Sequence, residues 1–276
     1  GCKKKYLAAS SKCLFYFRMQ GQRLDVHVVN PEGKRVVPVK RRDVYEFSDS
    51  ARLRLLKFIN TVAWEQVAKG VFITLTYPDE HVERTFEQRT IDRSRFLRDC
   101  ERHLGQPVAG TWRIEWMPRK TGLHVGTYFP HWHLILVNVA WIHRKVVRKI
   151  WRAILGTQGA LATHVRALKD GRMCAAYTAK YAAKKSGVVT LDILSKLNIR
   201  GRHYGFARKD LIPMARTEWV MDPTPEQIES LLSFGVKTLP WLREHYHESF
   251  TLLGRKAAEA FENIRKIGLE HGKGTR

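Results

Sequence analysis

Apolar and polar positions follow two different periods along this chain. Over residues 12–39 they fall in short runs, Cys13-Leu14-Phe15-Tyr16-Phe17 and Leu24-Asp25-Val26-His27-Val28-Val29. A turn signal at Asn30-Pro31-Glu32-Gly33 and a further run at Arg35-Val36-Val37 follow. Runs bounded by Pro, Gly and Asn predict a small β element. From residue 51 the period lengthens. Leu55, Ile59, Val62 and Gln66 share a stripe beside Leu56, Ala63 and Val67, which predicts a helix over 51–67 with Ser48 or Ser50 as its cap.

Beyond it the pattern predicts a strand at 71–77 and a helix at 90–104 burying Phe96, Leu97, Cys100 and Leu104. Strands at 111–117 and 131–138 follow, separated by a turn-rich stretch with Pro118 and Gly122. Arg144 to Leu155 reads as a basic amphipathic helix with Val147, Ile150, Trp151 and Ile154 inward, then a strand at 162–168 and a helix at 172–185. The order helix, strand, helix, strand, strand, helix, strand, helix predicts an α+β fold, a mixed or antiparallel sheet with helices packed on it. After Asp222-Pro223 the character changes. Thr224 and Gln227 form a capping box around Pro225, and helices are expected at 225–233, 240–252 and 255–268. The reading divides the chain into an N-terminal β-rich element (1–47), a central domain (48–216) and a C-terminal helical extension (217–276).

Composition changes this picture mainly through charge. The chain has 276 residues and a formal net charge of +23. Residues 144–216 alone hold 17 Lys or Arg against 3 Asp or Glu, whereas 217–276 are nearly neutral, with 8 basic and 9 acidic residues. Positive charge gathered around one segment attracts polyphosphate and gains from counterion release. The longest apolar run, Leu134 to Val137 with Val139 to Ile142, is far too short for a bilayer span, and no secretory signal is apparent. Cys2, Cys13, Cys100 and Cys174 are scattered without a Cys-x-x-Cys pair. That argues against a zinc finger or a disulfide framework, and it suits a reducing cytoplasm.

Two blocks carry candidate chemistry. In a strand, His131 and His133 face the same side at a separation of roughly 6.6 Å, so they can converge on one cation while Trp132 points the other way. The chain offers a comparison in His245-Tyr246-His247. That pair falls in an expected helix, where residues two apart diverge by about 200° and cannot chelate together. Glu115, in the strand expected to neighbour 131–138, is the candidate third ligand, with Asp79 and Glu80 as the fallback. Two imidazoles and a carboxylate suit Mg²⁺ or Mn²⁺. The same set occurs in non-haem iron oxygenases, but the next acid after His133 is Asp170, later than those sites place theirs.

The second block is a helix on which Tyr177, Lys180, Tyr181 and Lys184 share one stripe, with Ala175, Ala176, Ala179, Ala182 and Ala183 opposite. One reading makes the tyrosines core aromatics with snorkelling lysines. The other makes them nucleophiles, their high ordinary pKa offset by neighbouring lysine and by a metal-bound phosphate. Lys185 and Arg202, with Arg144, Lys145 and Arg148 on the basic helix, are the candidate DNA contacts.

Together the blocks resemble the HUH superfamily of rolling-circle replication initiators (Rep endonucleases), in particular the two-tyrosine type of small single-stranded DNA phages. Phe72 to Tyr77 matches the first motif and His131-Trp132-His133 the second, although Trp132 is bulky for its place. Tyr177 through Ser186 matches the third, and Gly201-Arg202-His203-Tyr204-Gly205 resembles a signature that often follows. The resemblance spans about residues 50–206. It implies a central antiparallel sheet carrying the histidines, with flanking helices. It also implies Mg²⁺- or Mn²⁺-dependent nicking of single-stranded DNA at an origin, a 5′-phosphotyrosine and a free 3′-OH for a host polymerase. Because no phosphate-binding nucleotide loop is present, a host helicase is expected as a partner, in the cytoplasm of a bacterial host. A single-strand transposase or relaxase of the same superfamily is the near alternative. A non-catalytic nucleic-acid-binding module is the distant one, and it leaves the histidine pair and the Tyr/Lys stripe unexplained.

Overall fold

The computed structural model describes residues 14–29, 47–158, 161–184, 201–221, 223–239 and 250–272. Within them the chain is α+β, with two antiparallel sheets and six α-helices forming two compact units. The turn expected at 30–33, the run at 35–37, Cys2, Cys13, Lys185, Ser186 and His245-Tyr246-His247 all lie outside the described residues.

The larger unit is built on a five-stranded sheet of order β6-β3-β5-β4-β7. Its strands are β3 (Gly70–Thr76), β4 (Ala109–Pro118), β5 (Tyr128–Val137), β6 (Thr163–Leu168) and β7 (Tyr204–Ala207). Strict alternation sorts their side chains. Ile73, Leu75, Ile114, Trp116, Trp132 and Leu134 go to one face, where α2 (Phe86–Leu104) contributes Phe96 and Cys100. The basic helix α3 (Arg144–Leu155) adds Val147, Trp151 and Leu155 to the same core. Trp132 is fully buried, donates its indole N–H to the Tyr77 hydroxyl at 3.2 Å and meets Trp112 edge-on. Arg93 from α2 lies 3.8 Å above the Trp112 ring, so even this core's cation is held by aromatic faces.

The opposite face carries α4 (Gly171–Ala183) and, packed beside it, α1 (Asp49–Ile59). The Asp170 carboxylate caps α4 by accepting the Met173 N–H at 2.8 Å. Gly171 lets this end approach closely, because a Cβ there would sit 1.8 Å from the Trp64 carbonyl oxygen. The buried stripe of α4 is Gly171, Cys174, Thr178 and Ala182. Of the alanines expected to pack, only Ala182 is buried, and Ala176 and Ala183 face solvent.

The smaller unit has the sheet order β8-β1-β2-β9, from β1 (Leu14–Gln20), β2 (Arg23–Val29), β8 (Thr217–Met221) and β9 (Phe250–Leu253). Helices α5 (Pro225–Thr238) and α6 (Arg255–Gly272) belong to it. They bury Leu231, Leu232, Phe261 and Ile264 against Phe17, Leu24, Val26 and Leu252. The N-terminal hairpin and the C-terminal segment, separate in the sequence reading, thus share a sheet.

Several expected boundaries shift for identifiable reasons. The helix expected over 51–67 ends at Ile59, with Ser48 as its cap. The next residues serve the smaller unit instead: the Asn60 carbonyl accepts the Gln22 N–H at 2.7 Å and Val62 bridges Met214. The helix expected from 90 begins at Phe86, because Thr85 and Gln88 form a complete capping box. Residues 250–252, expected to be helical, form part of β9 against β2, and 240–249 lie outside the described residues. Strands β7 and β8, not expected from the pattern, are short pieces recruited by β4 and β1.

The packing of Trp132 and His203 sets expectations for stability. Trp132→Ala should cost about 3–5 kcal/mol, read as a lower urea midpoint at unchanged slope, because it opens a cavity between β5 and both far-face helices. His203 is buried, and burial, with Arg113 assisting, lowers its pKa from 6.5 to about 4. Between those values the unfolded chain binds a proton that the folded chain refuses, so stability falls as pH falls through that window. His203→Gln should lose about 2–3 kcal/mol less than wild type between pH 7 and pH 4. Equal losses in chemical denaturation at the two pH values would refute the assignment.

Candidate active site

The site grows out of the pairing of three central strands. In the β4–β5 register Glu115 stands opposite His131 and Arg113 opposite His133. In the β3–β5 register Thr74 stands opposite His133 and Thr76 opposite His131. All six residues therefore point to the face that carries α4. The His131 and His133 rings lie nearly parallel with centroids 6.4 Å apart, close to the spacing expected of residues two apart in a strand.

Each imidazole is held from both directions. His133 Nδ1 lies 3.1 Å from Thr74 Oγ1, and His131 Nδ1 lies 3.0 Å from Thr76 Oγ1. His133 Nε2 reaches Glu115 Oε2 at 3.0 Å, and the Lys184 ammonium pairs with the other carboxylate oxygen. Glu115, His131 and His133 line one cavity of about 480 Å³, with Thr76, Arg119 and Lys120 at its walls.

Burial sets the charge states. It pushes the His131 pKa down to about 4, with the neighbouring His133 adding to the effect. It lowers His133 as well, against the opposing pull of Glu115. Burial also works against the charge on Glu115, yet His133 and Lys184 hold that carboxyl down to about 2. At neutral pH the site thus contains two neutral imidazoles, a carboxylate and a lysine ammonium. Neutral imidazoles and an ionised carboxylate are the forms that bind a metal. Among the described residues, no three His, Cys, Asp or Glu side chains already stand arranged around a common point. Glu115 is instead engaged by His133 and Lys184, and these contacts have to open for an ion to enter. The donors' chemistry fits a hard divalent cation.

The tyrosines meet the site through Phe72. Its ring lies 5.3 Å from Tyr177, 5.2 Å from Tyr181 and 5.8 Å from His133. Tyr181 is the nearer to the histidines, with its ring 4.4 Å from that of His133. Both tyrosines are half-buried on this aromatic bed rather than projecting freely. The Tyr181 phenol is raised by burial and further by Glu115 and Tyr177, while Arg113 works the other way. Lys180 Nζ lies 5.8 Å from the centroid of each tyrosine ring.

The structure brings together Tyr177, Tyr181, Lys180, Lys184, His131, His133 and Glu115. It does not bring the whole set of proposed DNA contacts there. Arg144, Lys145 and Arg148 ride on α3, which packs on the far face of the sheet. Arg202 is exposed just before β7. Asp79, the fallback ligand, is occupied by an ion pair with Arg119 and by the Leu123 N–H.

Five residues of the site were not singled out by the sequence reading. Phe72, Thr74 and Thr76 were visible only as strand formers. Arg166, whose guanidinium lies 5.3 Å over Tyr177, comes from the edge strand β6. Arg113 is buried, rests 4.4 Å over Phe47 and donates to the Tyr181 carbonyl. The period shared by Thr74-x-Thr76 and His131-x-His133 was the available signal, but it needs the register to become an argument.

No curated protein and no solved structure matches the chain. Residues 70–186 match a family of replication-associated proteins, the ORF2 family. The matched stretch is under half of the chain, and it runs from the first residue of β3 past the end of α4, so it contains the histidines, Glu115 and both tyrosines. Over that stretch this chain is similar to proteins of DNA replication.

Proposed function

We propose that this protein nicks and rejoins single-stranded DNA at a replication origin through a 5′-phosphotyrosine, starting and ending rolling-circle replication. One observation carries the reading: the Tyr181 ring lies 4.4 Å from His133, whose Nε2 is 3.0 Å from Glu115. A phenol is thus placed beside two imidazoles and a carboxylate in one cavity. The likeness of residues 70–186 to replication-associated proteins supports the setting.

His131, His133 and Glu115 would hold Mg²⁺ or Mn²⁺, which when bound polarises the scissile phosphate and neutralises charge developing on it. Tyr181 Oη attacks phosphorus, the bond to O3′ breaks, and a free 3′-OH and a 5′-phosphotyrosine result. Attack by a 3′-OH on that linkage reverses the step and restores the phenol. Because the Tyr181 phenol is raised, its proton has to be lost as the new bond forms, and the ammonium groups of Lys180 and Lys184 stabilise the anionic site. Lys184, released from Glu115 as an ion enters, becomes available to the phosphate.

Tyr177 lies farther from the histidines, beneath Arg166, and serves the second transfer. Unwinding and synthesis fall to a host helicase and polymerase, in the cytoplasm of a bacterial host. Among the described residues no helix is long and apolar enough to cross a membrane. The exposed basic face of α3 is a site for DNA backbone away from the chemistry.

End-labelled single-stranded origin DNA incubated with Mn²⁺ should yield a covalent adduct on Tyr181. Tyr181→Phe should lower first-strand cleavage by at least about 10³-fold, whereas Tyr177→Phe should spare it and block the second transfer. An adduct on Tyr177 alone would reverse the order. Tight, salt-sensitive binding with no adduct on any origin tried would make the protein a binding module.

A further inference from the structure

We propose that Thr74 and Thr76 are positioning residues whose hydroxyls set the tautomers of His133 and His131 and so make both imidazoles competent to take a divalent cation. This rests on the metal reading above. It concerns residues to which neither the fold nor the DNA chemistry assigns a role.

A neutral imidazole carries one N–H and one lone pair. For Nε2 to act as a ligand, the proton must sit on Nδ1, and a buried Nδ1–H needs an acceptor. Thr76 Oγ1 supplies one to His131 at 3.0 Å, and Thr74 Oγ1 supplies one to His133 at 3.1 Å. The match is made twice in one register, threonine opposite histidine at both positions. Strand formation does not require the hydroxyls. The neighbours Val71, Ile73 and Leu75 are apolar, and valine suits a strand as well as threonine does.

The choice of a hydroxyl over a carbonyl or carboxylate has a specific use at His133. Its Nε2 lies 3.0 Å from Glu115 Oε2, and an ionised carboxylate can only accept, so Nε2 bears the proton in this arrangement. Nδ1 is then the acceptor and Thr74 the donor. When a cation takes Nε2, that nitrogen gives up its proton and Nδ1 gains one. The ring stays neutral, and the Thr74 hydroxyl turns to accept. A carbonyl or a carboxylate could satisfy only the second state. A hydroxyl satisfies both, so neither state leaves a buried nitrogen without a partner.

The test is Mn²⁺ binding to the full chain without DNA, read from the electron paramagnetic resonance signal of free Mn²⁺. Thr74→Val and Thr76→Val, both isosteric, should each weaken binding about 10–100-fold. Thr74→Ser and Thr76→Ser should keep it within about 3-fold, because they retain the hydroxyl. In ¹⁵N spectra of the imidazoles, Mg²⁺ should move the His133 proton from Nε2 to Nδ1 in wild type. If the valine variants bind Mn²⁺ as tightly as wild type while His133→Ala loses it, the threonines are strand residues only and the inference falls alone. If wild type and His133→Ala bind Mn²⁺ equally poorly, the metal reading fails and takes this inference with it.

Discussion

The register of β3, β5 and β4 is the constraint on which the rest of the larger unit depends. Side chains alternate strictly along a strand, so a pairing shift of one residue would exchange the two faces of β5. His131 and His133 would then enter the far-face core, and Trp132 would enter the site. The core fixes the correct choice, because Leu75, Ile114, Trp132 and Leu134 must be buried together with Trp151 and Phe96. Positioning of the polar groups is thus a by-product of hydrophobic burial on the other side of the same sheet. The chemistry sits on a platform whose geometry is determined elsewhere.

The polar face needs its own compensation, because an ionised carboxylate and two imidazoles are costly to bury. Glu115 is only 4% exposed. Its two oxygens are engaged by His133 and by the lysine at the end of α4. That lysine belongs to the same stripe as the tyrosines, so the charge that stabilises the site also draws the nucleophile helix onto the sheet. Electrostatic satisfaction and catalytic placement are one contact here.

Much of this was legible in the sequence. Period-two runs located β3, β4, β5 and β6, and the amphipathic pattern placed α3 on Arg144–Leu155. The His-x-His spacing and the Tyr/Lys stripe pointed to the candidate chemistry because both depend on local periodicity. What escaped was long-range. The termination of α1 at Ile59 reflects tertiary pairing of residues 60–62, which no helical pattern contains. β7 and β9 are four residues each and exist because β4 and β2 offer them an edge. The roles of Thr74, Thr76, Arg113 and Arg166 follow from which strand lies beside which, information that residue spacing does not carry.

Arg113 shows what such placement implies under load. Its guanidinium, buried beneath Phe47, holds the backbone carbonyl of Tyr181 from behind, while the Tyr181 side chain faces the histidines. A DNA strand joined to that phenol and pulled by an advancing polymerase would transmit its tension through the helix backbone and into β4, in the interior of a five-stranded sheet. An attachment point on a loop would yield locally. Here the anchorage is part of a strand paired on both sides, and mechanical force on the product would be borne by the fold itself.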